Sequence, residues 1–167
     1  MADKDRQSIT FTPIGVMHTP FHNREGMPIQ PTGRSSAPGR AEIFPPFQAG
    51  LADLDGFSHI ILIYYLHRVE GWKPRVIPFL DKVERGLFST RAPTRPNPIG
   101  LSIVGLERVE SGMLYLTHVD MLNQTPLLDI KPYLPEFDQP HGPIRIGWAA
   151  KAAGEVENRQ SDDRFNS

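Results

Sequence analysis

Three prolines fall within six residues of one stretch, at Pro93, Pro96 and Pro98. Each proline removes a backbone donor and fixes its own φ angle, and each disfavours the α region for the residue before it. A helix cannot form there, and a central strand would lose ladder hydrogen bonds. The stretch is therefore predicted to be a stiff, ordered loop that starts near Phe88 and leads into a strand at Ile99.

This proline loop, residues 88–98, carries Arg91, Arg95 and Asn97. Two guanidinium groups and an amide on an ordered loop suit a planar ligand that is anionic or rich in hydrogen-bonding groups. The alternative is a surface loop whose arginines pair with nearby acids. Between Arg68 and Arg95 the chain has seven basic and three acidic residues. This local excess can guide an anionic partner, although a solvated charged face is an equally simple interpretation.

The composition favours a single domain made of short strands and turns. The chain has 167 residues, of which 17 are proline and 14 are glycine, and proline usually makes up only about 5% of a protein. The absence of cysteine excludes a disulfide scaffold, a cysteine nucleophile and a thiolate zinc site. A formal net charge of −1 gives no overall nucleic-acid signature.

The N-terminal residues and the longest apolar run indicate where in the cell the protein is expected to be. Residues 1–8 are polar and charged and lack an apolar signal core. The run from Ile60 to Leu66 is far too short to span a bilayer. We therefore expect a soluble, cytoplasmic protein with no membrane contact. The expected organisation is a flexible N-terminus over 1–8, a folded domain over 9–148 and a polar, flexible tail over 149–167.

The pattern of apolar residues predicts many strands and few helices. Residues 57–67 are rich in β-branched and aromatic side chains and are expected to form a central strand buried on both faces. Residues 71–78 are read as a loop or a short edge strand, and short helices are predicted at 47–54 and 79–85. Strands are further predicted at 9–17, 40–44, 86–90, 99–110, 113–120, 127–131 and 144–148. Such a pattern is typical of a mostly antiparallel barrel or sandwich, with no regular βα alternation.

Few individual side chains point to catalysis. His67 and Arg68 leave the predicted central strand at a usual place for site residues, although a histidine that caps a buried strand is the simpler alternative. His18 and His22 are separated by Pro20, so they do not share a helical face, and no metal site is expected. Glycine-rich nucleotide motifs, zinc-protease motifs and serine-hydrolase motifs are absent. The acids available for general acid or base chemistry are Asp120, Asp129, Glu136 and Asp138.

Two further polar segments can bind a ligand. Residues 123–126 form a tight turn, rich in amide and hydroxyl groups, between two apolar strands, and can hydrogen-bond to the edge of a base or a ribose. A hairpin turn without a ligand is the alternative. Residues 23–39 are a long segment without periodicity, in which 27–31 can lie along a ligand. A flexible surface loop is the alternative.

Two longer runs carry a resemblance. Phe88 to Gly100 reads FSTRAPTRPNPIG, and Asn123 to Tyr133 reads NQTPLLDIKPY. Together with the segments at 14–16 and 57–59, these runs resemble the TsaA-like family, which includes the proteins called YaeB and TrmO. The resemblance covers roughly residues 9 to 140.

The resemblance implies a function and a fold. Members of this family are S-adenosylmethionine (SAM)-dependent tRNA methyltransferases built on a β-barrel that is not Rossmann-like. They act as homodimers on the tRNA anticodon loop, where they methylate N6 of threonylcarbamoyladenosine. The fold expected is thus a mostly β, single-domain antiparallel β-barrel with short helices and long loops.

The resemblance also assigns residues, but no catalytic residue and no metal ligand. By carry-over, the cofactor SAM is bound by Pro28, Ile29, Gln30, His67, Arg68, Arg91, Leu101, Asn123, Gln124, Thr125 and Pro126. Candidates for substrate binding are Arg95, Asn97, Asp129, Lys131 and Tyr133.

Two departures from the family pattern leave alternatives open. Many members have Asp-Gly where this chain has Asn123 and Gln124, and bacterial members often carry a further C-terminal domain for which this chain leaves no room. A SAM-dependent methyltransferase of a small molecule therefore remains an alternative. A non-catalytic SAM-binding or regulatory module on the same barrel is another.

Overall fold

The computed structural model describes residues 8–23, 36–78 and 81–152. The helical segments in them are short: α1 is Pro135–Asp138, and 3-10 turns occupy Pro45–Leu51, Leu54–Gly56, Leu87–Ser89 and Gly147–Ala152. No helix among these residues is long and apolar enough to cross a membrane. The strands are β1 Gly15–His18, β2 Gly39–Ile43, β3 His59–Tyr65, β4 Arg75–Val76, β5 Arg85–Gly86, β6 Ile99–Glu110, β7 Met113–Thr117 and β8 Pro126–Pro132.

Six of the strands close into a barrel, in the order β1-β2-β7-β6-β3-β8, with β8 paired to β1. Every pairing in the barrel is antiparallel. Strands β4 and β5 form a separate two-stranded ribbon. The predicted antiparallel β-barrel is confirmed, and the sandwich alternative is excluded because a single sheet closes on itself.

Strand β3 lies between β6 and β8, as expected for a central strand. Its residues alternate: Ile60 and Leu62 have no exposed surface and Tyr64 is buried, whereas His59 and Tyr65 are exposed. The prediction that both faces of this strand are buried is wrong. In a single closed sheet only the inward face meets the core, so a strand with apolar residues on both faces leaves one set on the outside.

The β6–β7 hairpin is confirmed at the predicted turn. Ser111 and Gly112 both have positive φ angles, 49° and 78°. Two successive left-handed residues match the twist of the flanking strands and set their register. Glu110 therefore pairs with Met113, and the inward side chains of Leu114 and Leu116 enter the core.

Three predicted strands are wrong over all or part of their length. Residues 9–12 and 144–146 have no strand partner, and 87–89 form a 3-10 turn. In the closed barrel each strand already has two neighbours, so an additional segment of strand-forming residues finds no free edge. The helix predicted at 79–85 is also wrong over residues 81–85, where the chain enters β5; Phe79 and Leu80 lie outside the described residues.

The strand register defines the two ends of the barrel. Tyr65 at the end of β3 pairs with Ile99 at the start of β6, and Val16 in β1 pairs with Pro126 at the start of β8, so the last residues of β1 point to the same end. The start of β2 and the end of β7 lie at this same end, because Gly39 pairs with Leu116. We call it the site end. Three connections meet there: the one between β1 and β2, the one from β3 to β6, and the one from β7 to β8.

Candidate cofactor site

The loop over residues 123–125 is held by backbone hydrogen bonds to β1 and to the residues that follow it. The Asn123 N–H donates to the Phe21 carbonyl oxygen at 2.7 Å, and the Gln124 N–H donates to that of Met17 at 2.8 Å. The Met17 N–H in turn donates to the Thr125 carbonyl oxygen at 2.9 Å. This loop is therefore a fixed part of the barrel wall.

The two residues that depart from the family pattern have different structural roles. The Asn123 side-chain oxygen accepts a hydrogen bond from the Thr19 N–H at 3.1 Å, which an aspartate oxygen can also do. Gln124 has a φ of 65°, in the left-handed region that costs about 1–2 kcal/mol for a residue with a side chain. A glycine at position 124 would avoid this cost, so the Gln124 backbone is strained beside the candidate site.

The end of β3 lies against this loop. The Thr125 hydroxyl oxygen is 3.4 Å from Nδ1 of His67, and Thr125 is 2% exposed. Arg68 donates from Nη1 to the carbonyl oxygen of His22 at 2.8 Å. The structure thus brings His67 and Arg68 to the same place as the 123–125 loop, and their binding of SAM stays a prediction.

The proline loop is ordered by its own contacts, as predicted. Thr90, Ala92 and Thr94 are buried. Nη1 of Arg95 donates to the carbonyl oxygens of Thr90 and Ala92, at 3.1 and 3.2 Å. The Arg95 guanidinium carbon lies 5.7 Å from the centre of the Phe88 ring. Arg95 therefore stabilises the loop from within.

Other contacts join this loop to β3 and leave Arg91 and Asn97 exposed. The Leu66 N–H donates to the Pro98 carbonyl oxygen at 2.8 Å, just after β3 ends. The backbone carbonyl of Asn97 accepts from the Ile99 N–H at 2.8 Å. The side chains of Arg91 and Asn97 are thus displayed by a fixed backbone.

A buried polar chain at the site end was missed by the sequence analysis. Ser102 donates to Oδ1 of Asp120 at 2.6 Å, and the Tyr64 hydroxyl lies 2.9 Å from the Ser102 hydroxyl. Ser102 has one hydroxyl hydrogen, so Tyr64 is the donor in the second bond. A serine at an inward position of an apolar strand was the available signal, because a buried hydroxyl needs a hydrogen-bond partner.

The electrostatics of this chain are set by burial. Burial raises the pKa of Asp120 from its ordinary value of 3.8 to about 6, against the lowering effects of the Ser102 hydrogen bond and the charge of Arg91. Burial, followed by the charge of Asp120, raises the pKa of Tyr64. Tyr64 therefore remains a neutral donor, and Asp120 is a carboxylate of increased basicity near Arg91.

Four predicted site residues lie elsewhere. Leu101 is 58% exposed, and it pairs with Ile63 on the outward-facing side of the sheet. Asp129 pairs with Ile63 from the other side, and Nζ of Lys131 is 2.7 Å from Oδ2 of Asp129. Tyr133 follows β8 at the opposite end of the barrel, where its ring meets that of His59 edge-on. Leu101, Asp129 and Lys131 thus lie on the outer wall, and Tyr133 lies at the opposite end of the barrel.

Some predicted residues cannot be placed. Pro28, Ile29 and Gln30 lie outside the described residues. Pro126 begins β8, directly after the 123–125 loop. In residues 8–23, 36–78 and 81–152, no group of three or more histidine, aspartate and glutamate side chains is arranged to hold a metal ion.

Comparison with known proteins identifies the family. The profile of the tRNA-methyltransferase O N-terminal domain matches residues 16–139. The chain belongs to this family. The resemblance to TsaA-like proteins, drawn from the proline loop and the segment over 123–133, is thereby confirmed.

Two relatives and one solved structure place the chain within this family. It is 45% identical over 159 residues to a probable S-adenosyl-L-methionine-binding protein of Pyrococcus abyssi, covering 95% of this chain and 86% of that protein. It is 39% identical over 135 residues to the human tRNA (adenine(37)-N6)-methyltransferase, covering 77% of this chain but 31% of that protein. The crystal structure of TrmO from Pseudomonas aeruginosa is 36% identical with a TM-score of 0.71, covering 86% of this chain and 63% of that one.

The raised pKa of Asp120 predicts a pH-dependent stability. Between pH 3.8 and about 6 the folded protein binds more protons at the Asp120 carboxyl than the unfolded chain does. The contribution of Asp120 to the free energy of unfolding therefore falls as the pH rises. Above that window Asp120→Asn should raise the free energy of unfolding by on the order of 1–3 kcal/mol, and near pH 4 by almost nothing. Urea unfolding at pH 4 and pH 8 measures the difference.

The exposed Asp53, at the opposite end of the barrel, provides the matched control. Asp53→Asn should leave the pH dependence of unfolding as it is in the wild type. A variant at Asp120 that is less stable than the wild type at pH 8 would contradict the interpretation.

Proposed function

We propose that this protein is a SAM-dependent methyltransferase that modifies N6 of an adenosine in tRNA, and that its substrate is threonylcarbamoyladenosine next to the anticodon. The observation that carries the proposal is the meeting of three segments at one end of the barrel. His67 and Arg68 lie beside the fixed 123–125 loop, and the exposed Arg91 is close enough to Asp120, three residues before that loop, for its charge to act on the carboxyl, in a chain of the tRNA-methyltransferase O family. The relatives named as SAM-binding proteins and tRNA methyltransferases support the same activity. A tRNA substrate is consistent with a cytoplasmic protein.

The residues at the site end have the chemistry that SAM requires. Arg91 provides a guanidinium for the cofactor carboxylate, since planar charge-assisted pairs of this kind are among the stronger hydrogen bonds. The amide side chains of Asn123 and Gln124 can hydrogen-bond to the ribose hydroxyls or the base edge. The buried hydroxyl of Thr125 and the ring of His67 lie against each other beside these amides.

Methyl transfer from SAM needs no metal and no covalent intermediate. The attacking nitrogen, the methyl carbon and the sulfur of the sulfonium must be aligned, so most of the acceleration comes from orientation and the exclusion of water. A fixed loop and a fixed strand end are suited to hold that geometry. The target base lies in an unpaired loop, so extruding it is inexpensive.

The direct test is methyl transfer from labelled SAM to tRNA that carries threonylcarbamoyladenosine. The proposal expects label in the tRNA, at N6 of the modified base after digestion. Bound SAM with no label in tRNA would favour the small-molecule alternative. No SAM binding by calorimetry would favour a non-catalytic regulatory module on the same barrel.

Replacing Arg91 should weaken cofactor binding. Arg91→Ala removes a hydrogen bond to a charged group, which is worth about 1.5–3 kcal/mol, or roughly 10- to 150-fold in the Kd for SAM. Titration calorimetry with SAM measures this. Arg108→Ala is the control, because Arg108 is also exposed and its guanidinium stacks on Tyr115 away from the site end. Equal SAM affinity in the Arg91 variant and the wild type would count against Arg91 as a cofactor ligand.

The start of the proline loop has features of a binding site for single-stranded RNA. Phe88 is 79% exposed, and the Arg95 guanidinium covers part of its ring. An exposed aromatic ring beside a cation can stack on an unpaired base, while nearby basic residues meet the phosphates. We propose that Phe88 contacts the anticodon loop.

Phe88→Ala should weaken tRNA binding by about 1–3 kcal/mol, the usual loss of one base stacking contact. Affinity for SAM should remain that of the wild type. Filter binding at several salt concentrations measures the tRNA affinity and its salt dependence. Phe137→Ala is the matched control, because Phe137 is 80% exposed and lies after β8, at the opposite end of the barrel. An equal loss in both variants would argue against a specific contact.

The homodimer implied by the family has a candidate surface on the barrel wall. Tyr65, Ile99, Leu101 and Ile103 are 40–58% exposed, and they share the outward side of β3 and β6. Contiguous apolar surface of this kind is unusual on a monomer. The ion pair of Asp129 and Lys131 flanks it on β8 and offers both charge signs, as a self-complementary two-fold contact requires. We propose that two copies associate through this outer face.

Leu101→Asp should convert the dimer to a monomer, because a charge would be buried without a partner in the contact. Light scattering after gel filtration measures the mass, and circular dichroism checks the fold. Ile144→Asp is the control, since Ile144 is 65% exposed and lies outside the strands that form this face. A Leu101→Asp protein that stays dimeric would direct the search to another surface.

A further inference from the structure

The mechanism above gives no role to Asp120, an ionisable group at the site end. Asp120 lies between β7 and the 123–125 loop, and it is the acid at the end of the chain that runs from Tyr64 through Ser102. Tyr64 and Ser102 are 5% and 2% exposed, whereas Asp120 is partly exposed. The chain therefore begins in the core and ends at a carboxylate that solvent can reach.

A purely structural role explains this arrangement poorly. Among the described residues no ion pair within 4.0 Å involves Asp120, and the charge of Arg91 acts on it without one. A half-buried carboxylate without a direct cationic partner destabilises a fold, and an asparagine could accept the same hydrogen bond from Ser102. Groups that are kept ionisable at a cost in stability are concentrated at functional sites.

The position of Asp120 links the parts of the proposed site. Through Ser102 it contacts β6, three residues after that strand begins at the end of the proline loop. Its charge interacts with Arg91 in that loop. Next along the chain, the Met121 carbonyl oxygen accepts from the Thr19 hydroxyl, and the Thr19 N–H holds Asn123. Asp120 thus lies between the two loops proposed to hold SAM.

We propose that Asp120 is the proton acceptor of the methyl transfer, an inference that rests on the proposed function. As the bond from N6 to the methyl carbon forms, the bond from sulfur to that carbon breaks and its electron pair stays on sulfur. The N6 proton passes to the carboxylate of Asp120. One sulfonium cation and one carboxylate are consumed, and a neutral thioether and a neutral carboxylic acid are formed. The acid then loses its proton to water.

The surrounding groups suit Asp120 to this task. Its pKa of about 6 leaves it ionised at neutral pH, yet it is more basic than an ordinary aspartate, and a general base works best when its pKa is near the operating pH. The groups that face it are Arg91 on the proline loop, Tyr64 on β3 and Ser102 on β6. Arg91 and Ser102 favour the ionised form, so they limit how far burial raises the pKa.

The test is the pH dependence of methyl transfer at saturating SAM and tRNA. In the wild type the rate should rise from pH 5 and level off above the pKa of the carboxyl. Asp120→Asn should lower kcat by about 100-fold or more, the usual effect of removing a positioned base, and abolish the rise with pH. Its affinity for SAM should change little. Asp53→Asn, which neutralises an exposed acid at the opposite end, is the control and should behave as the wild type.

Ser102→Ala gives a second test, a shift of the pH profile that a purely structural role of Asp120 would not produce. Losing this hydrogen bond removes an interaction that lowers the pKa of Asp120, so the rising limb of the profile should move to higher pH while the plateau rate is largely kept. An active wild type with an Asp120→Asn variant that keeps its rate and its pH profile would overturn the role of Asp120 alone. A wild type that binds SAM but transfers no methyl group to tRNA would overturn the proposed function and this inference together.

Discussion

Closure of the barrel is the constraint on which the rest of the structure depends. Once β8 pairs with β1, every strand of the barrel has two neighbours and no backbone edge is left to extend the sheet. Variation is then confined to the connections, which an antiparallel barrel sends alternately to its two ends. At one end the chain uses a two-residue turn at Ser111 and Gly112. At the other end the connections from β1 to β2, from β3 to β6 and from β7 to β8 meet, and the candidate functional residues lie in or beside them.

The proline loop extends the rigidity of the barrel to a segment without regular structure. Its prolines reduce the freedom of the unfolded chain, so less entropy is lost when the loop becomes ordered. Arg95 adds hydrogen bonds to two carbonyl groups that no strand would satisfy. Arg91 is consequently presented by a backbone that is already in place. Such preorganisation lowers the entropic cost of ligand binding without requiring additional contacts.

The sequence predicted best what is determined locally. The start of β6 after Pro98 and the turn at 111–112 depend on neighbouring residues, and both are where they were expected. The strands predicted at 9–12 and 144–146 do not form, because a strand also needs a pairing partner. Which segments pair is decided by the whole sheet. The polar chain was missed for a similar reason. Tyr64 and Ser102 are 38 residues apart, and Ser102 and Asp120 are 18 apart, so only the strand register reveals that they touch.

The site residues assigned by the family resemblance fall into two groups, those at strand ends and those within strands. Asn123, Thr125, His67 and Arg68 lie at strand ends, where the structure brings them together. Leu101 and the pair Asp129 and Lys131 lie within strands, where the alternation of side chains turned them to the outer wall. A list of residues from a family resemblance does not carry this information, because it does not say which face of the sheet each residue occupies.

Gly100 shows how a missing side chain can matter to chemistry elsewhere. A Cβ atom built at this position would lie 2.1 Å from the Tyr64 ring, which fills the space instead. Any larger residue at position 100 would displace that ring and with it the hydroxyl that donates to Ser102. The acidity of Asp120 is thus coupled through packing to a residue that bears no functional group. For a chain of this family, the steric demands of position 100 belong to the description of the site as much as its charges do.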